Sequence, residues 1–207
     1  MRTVKESSDE LNPQTLTSAF IAPVARGRTA LDYLALGVAT CGVGFLPLAP
    51  GTWGSALGVG VYLSLRVASE RVFATATAQG WSAPVLESVR TTLLLWLVLL
   101  ITGAGVWAAT RAERLLGRKD PGAVVVDEVA GQLITFLFVP WLPGRGPGGW
   151  TLFAGFLAFR LFDIWKPYPV RRLEGLGGGL GIMADDMLAG FYAAAAMSLL
   201  VTVRLVY

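Results

Sequence analysis

The chain has 207 residues, 54% of them hydrophobic and only 15% charged, with a mean hydropathy of +0.60. An ordinary soluble domain carries roughly 25% charged residues, and the run TLLLWLVLLITGAGVWAA (92–109) has no polar face to turn to water; a soluble helical protein is set aside in favour of an integral membrane protein. Net charge is +3, histidine is absent and Cys41 is the one cysteine, which excludes an intrachain disulfide, a zinc cluster and a histidine nucleophile.

Residues 1–30 are polar and hold no apolar core of signal-peptide length. They read as a disordered cytoplasmic tail, leaving 31–207 as a membrane-embedded domain. Apolar runs follow at 31–48, 52–67, 91–109, 124–142, 150–165 and 187–203, each near the roughly 20 residues that cross a bilayer. The expected fold is all-α: a polytopic bundle of about five to six apolar helices. The stretch GVGFLPLAPGTWGS (42–55) is too rich in Gly and Pro for continuous helix, so a broken or re-entrant segment is expected there, lining a cavity.

Lys and Arg set the topology. If 31–67 makes one net crossing, the tail and the loops at 110–123 and 166–183, which hold most of the basic residues, share one side. By the positive-inside rule that side is the cytoplasm.

Asp127 and Glu128 then open the run that leaves the first loop, Asp163 closes the run that enters the second, and Asp185 and Asp186 open the last run. All five acids fall at cytoplasmic helix ends. The macrodipole alone favours acids in a first turn, so the two pairs also read as plain helix starts; Asp163, near a helix C-terminus, does not. It wants a cation, and Arg160 and Lys166 lie three residues to either side. Arg171 and Arg172 read equally as phosphate ligands or as a juxtamembrane cluster for anionic headgroups.

Five carboxylates against four cations in a low-dielectric site call for a divalent ion. With oxygen ligands only, Mg²⁺ fits best and Mn²⁺ next. Carboxylates for a metal beside Arg and Lys for an anion describe phosphate chemistry. No nucleotide P-loop is present, and no nucleic-acid partner is expected.

Four blocks in order, GVGFLPLAPGTWGS, VVVDEVAGQ, FRLFDIWKPYPVRR and GLGIMADDMLAG, resemble the phosphatidylglycerophosphatase A family over about 31–207. The resemblance implies a Mg²⁺-dependent bacterial inner-membrane enzyme, its site facing the cytoplasm, that removes the terminal phosphate of phosphatidylglycerophosphate, a glycerophospholipid substrate drawn from among the bilayer lipids. It implies Asp127, Glu128, Asp163, Asp185 and Asp186 as acidic catalytic or metal residues, with Arg160 and Lys166 as phosphate ligands. Thr52 and the PGTWGS backbone either complete the pocket or simply form a turn. Two other readings stay open: a divalent-cation transporter or channel, since intramembrane acids beside broken helices also serve ion pathways, and a non-enzymatic lipid-binding protein.

Overall fold

The computed structural model describes residues 27–140, 148–173 and 175–206. Seven helices appear among them: α1 (Ala30–Thr40), α2 (Pro50–Ala78), α3 (Ala83–Leu116), α4 (Val126–Thr135), α5 (Gly149–Trp165), α6 (Val170–Leu173) and α7 (Gly178–Val206). No strand occurs among the described residues. The all-helical expectation therefore holds, but the expected five to six crossing helices are not borne out: among the described residues α3 and α7 (over Gly178–Arg204) are the two both long and apolar enough to span a bilayer. That is compatible with a membrane protein. The expected tail falls mostly on residues 1–26, outside the described residues.

The first helix is cut short. A capping box closes its start, Thr29 and Asp32 exchanging hydrogen bonds between side chain and backbone, and Arg111 of α3 donates to Asp32 at 2.6 Å. The Thr29 amide and the Arg111 guanidinium hold the Asp32 carboxyl down at about 2. At the other end Cys41 turns left-handed, and the Ala39 carbonyl accepts from the Val125 amide. With 11 residues, about 16 Å, α1 covers only half a bilayer.

The expected break at 42–55 needs correction. The non-helical backbone occupies 41–49, where Cys41, Leu48 and Ala49 take positive φ, while Pro50–Ser55 already belong to α2. Pro50 stands in the first turn, where its missing N–H costs nothing, and Gly51 and Gly54 serve helix contact rather than chain breaking, whereas Gly42, at φ +73°, belongs to the non-helical turn. Arg66 and Arg90 lie buried inside α2 and α3. Likewise α7 starts at Gly178, so Asp185 and Asp186 sit two turns inside it rather than at its head.

The core forms around α4. This ten-residue helix is almost wholly buried and is packed by α2, α3, α5 and α7. It runs parallel to α2, with Gly51 beside Glu128, Gly58 beside Gln132, and Tyr62 stacked on Phe136 at 4.5 Å. On its other side Gly131 meets Gly190 of α7 backbone to backbone, and the Phe159 ring of α5 covers the same spot. Contacts this close exclude a Cβ at either glycine. We expect Gly190→Val to lower thermal stability in detergent by about 2 kcal/mol through overpacking. Gly60→Ala, on the same kind of helix but with nothing within 4 Å, should raise it by up to about 1 kcal/mol.

Candidate active site

Each acid arrives for a local reason. Asp127 and Glu128 are the second and third residues of α4, which has no side-chain cap, so their backbone amides and the helix dipole face the site. The equally uncapped start of α2 comes in beside them: Gly51 lies against both Glu128 and Arg160, a Cβ there falling 2.9 Å from the Arg160 Nη1. Two positive helix ends thus converge on one point. Asp186 enters from α7, held close by the Gly131 contact to its own carbonyl.

Asp127, Glu128 and Asp186 bring carboxylate oxygens within 4.8 Å of one another. Asp127 and Asp186 are 8% and 4% exposed. Asp163 of α5 reaches Asp186 and lies in the field of Glu128, while its own partner is Arg160, Nη1 to Oδ2 at 2.6 Å. The Arg160 charge also acts on Glu128. Four of the five predicted acids and Arg160 therefore share one site.

The fifth acid points elsewhere. Asp185 accepts from Lys166 Nζ at 2.8 Å, while its other oxygen accepts from the Asp186 amide. It also borders a separate cavity of about 280 Å³ with Glu113, Lys119 and Asp120. Lys166 reaches it because this residue takes a left-handed conformation as the C-cap of α5, just before Pro167. Arg171 and Arg172 are exposed, Arg172 lying over the Tyr168 ring at 4.8 Å. Thr52 is half-buried in the first turn of α2, next to Gly51.

Burial pushes the Asp127 carboxyl well above the ordinary carboxylate range, and the charges of Glu128 and Asp186 push the same way. Burial also raises Glu128, but a hydrogen bond with Asp127 and the Arg160 charge oppose it. Asp127 Oδ1 and Glu128 Oε2 are buried without a hydrogen-bond partner. Orphaned carboxylate oxygens in an oxygen-only cluster fit a hard divalent cation, and the residues present suit Mg²⁺.

Of the two readings of the PGTWGS backbone, the one that completes the pocket agrees with Gly51 lying against Glu128 and Arg160; sequence reasoning missed Gln132, one turn below Glu128. The signal for Gln132 was a lone amide at i+4 from an acid inside an apolar run.

Buried carboxylates, a guanidinium and two helix N-termini are groups able to hold a metal ion and a phosphate. The family model described as phosphatidylglycerophosphatase A matches residues 37–201, and the chain belongs to that family. A Bacteroides thetaiotaomicron protein provisionally named a phosphatidylinositol-3-phosphatase is 40% identical over 152 residues, 73% of this chain and 83% of its own. A Haemophilus influenzae phosphatidylglycerophosphatase A is 36% identical over 155 residues, 73% and 78% of the two chains. The Escherichia coli phosphatidylglycerophosphatase A is 37% identical over 91 residues, 44% and 50%. No solved structure matches.

The raised Asp127 has a consequence for stability. Between its ordinary value of 3.8 and its folded value the native state holds more protons than the unfolded one, so stability falls as pH rises through that window. Without divalent cation, thermal midpoints should therefore decline from about pH 4 upward. Asp127→Asn should flatten the decline, and so should added Mg²⁺ or Mn²⁺, as read by thermal unfolding across a pH series.

Proposed function

We propose that this chain is a Mg²⁺-dependent lipid phosphatase that hydrolyses the terminal phosphate of phosphatidylglycerophosphate, giving phosphatidylglycerol and phosphate. The observation that carries the reading is the buried trio Asp127, Glu128 and Asp186 beside Arg160 at the uncapped starts of α2 and α4. Family membership and the names of the Haemophilus and Escherichia relatives support it. The chain sits in the bilayer as a multi-pass protein, α3 and α7 crossing and the acids opening to the cytoplasmic face.

In this mechanism Asp127, Glu128 and Asp186 would hold the cation, which when bound would supply charge neutralisation and Lewis acidity toward a phosphoryl oxygen. Arg160, fixed by Asp163, aims its guanidinium at the remaining phosphate oxygens, and the α2 and α4 amides add dipoles where charge develops. Asp163, next to Asp186 and paired with the Arg160 guanidinium, is placed to take a proton from water as that water bonds to phosphorus; the P–O bond to glycerol breaks and the glycerol oxygen takes a proton from solvent. Lys166 holds Asp185, and through it the turn of α7 that carries Asp186.

The decisive assay is phosphate release by purified protein in detergent. With phosphatidylglycerophosphate we expect turnover that EDTA abolishes and Mg²⁺ restores, and a loss of at least about 100-fold in kcat for Asp127→Asn or Asp186→Asn. Undiminished turnover in EDTA would remove the metal from the scheme. Faster release from phosphatidylinositol 3-phosphate would reassign the substrate.

A further inference from the structure

Below Glu128 the interface between α2 and α4 stays polar where packing alone would make it apolar. Gln132 follows Glu128 by four residues and so lies on the same face of α4, its side chain leaning back toward the N-terminal end that carries the acids. It is 0% exposed, and neither Oε1 nor Nε2 has a hydrogen-bond partner. On α2 the matching face reads Gly51, Ser55, Gly58 and Tyr62. Gly58 lies directly against the Gln132 side chain, so no α2 side chain covers the base of the amide. Tyr62, one turn further, stacks on Phe136 and is 1% exposed, with its hydroxyl also unpartnered.

Three unpartnered polar atoms on the facing sides of two helices, one turn and more below Glu128, whose Oε2 is unpartnered as well, run against the rule that nine in ten buried polar groups are bonded. Each would cost about 1–3 kcal/mol if dry. Buried water is the ligand that satisfies such groups, making about three hydrogen bonds per molecule.

We infer that Gln132 and Tyr62 bind water in a closed seam between α2 and α4, and that Gln132 acts through this water as a positioning residue for Glu128. The role in catalysis rests on the reading in the previous section; the water site does not. A ligand to a metal is oriented by the groups behind it, and removing such a group weakens metal affinity or activity by about 10–100-fold.

Two isosteric variants test the inference, Gln132→Met and Tyr62→Phe, in full-length protein in detergent. Radiolytic hydroxyl labelling in ¹⁸O-water should modify buried Tyr62 as readily as exposed Tyr33 and Tyr168, and Gln132→Met should abolish that labelling. Gln132→Met should also weaken Mn²⁺ binding, measured by calorimetry, by about 10-fold or more. It should lower kcat on phosphatidylglycerophosphate with KM unchanged. An unlabelled Tyr62, together with variants that gain thermal stability and keep wild-type Mn²⁺ affinity, would overturn the inference, because a dry seam is relieved by apolar replacements. Labelled Tyr62 in a wild-type protein that releases phosphate from no phospholipid would uphold the water site and sink the proposed function instead.

Discussion

The rest of the structure depends on bringing Asp127, Glu128 and Asp186 together in a dry place. Carboxylates this close repel strongly at low dielectric, and no hydrophobic gain compensates for that directly. The fold answers with backbone. Gly131 and Gly190 let α4 and α7 touch main chain to main chain, and Gly51 lets the start of α2 reach Glu128 and Arg160. Each close approach brings a helix dipole or a cation nearer to the acids than any side chain would permit. Large residues at these positions would open the very distances that make the cluster tolerable.

Charge is then compensated in two separate layers. Arg160–Asp163 lies along the last turns of α5 and faces the trio, whereas Lys166–Asp185 lies outside it and ties the end of α5 to α7. The adjacency of Asp185 and Asp186 in the chain thus conceals a division of labour. Successive residues of a helix point about 100° apart, so one acid enters the cluster while its neighbour fastens the loop. A third pair, Asp32–Arg111, performs the same fastening for α1. Asp186, unlike Asp163, Asp185 and Asp32, has mainly other carboxylates around it.

Much of this was legible in the residues. Helical class, the convergence of acids from three helices, and Arg160 as partner of Asp163 all follow from hydropathy and i, i+3 spacing. What escaped was whatever depends on depth and packing. Gly and Pro in 42–55 looked like chain breakers, yet Pro50 opens α2 and Gly51, Gly54 and Gly58 line its contact with α4. Propensity measures the cost of glycine in an isolated helix; it is silent about a neighbour that needs the space. The same blindness placed Asp185 and Asp186 at a helix start, because GLGGGLG reads as loop until α3 packs upon it, with Thr110 Oγ1 accepting from the Gly179 amide. Two turns inside α7, those acids gain nothing from its dipole, so the helix-start explanation fails for them.

The far end of the polar seam bears on the cation pathway that the sequence left open. A conduit needs acidic or carbonyl sites spread through membrane depth. Beyond Gln132 the α2–α4 interface closes on the Tyr62–Phe136 stack. One further turn along the same face of α2 stands buried Arg66, and buried Arg90 of α3 donates to the Val139 carbonyl at 2.9 Å just past the end of α4. A divalent ion leaving the carboxylates inward would thus meet an aromatic plug, then Arg66 and the Arg90–Glu87 ion pair. The acids gather at one end of this interface and an aromatic stack closes the other. That asymmetry suits a site that receives a phosphate headgroup from one face and returns its products to the same face.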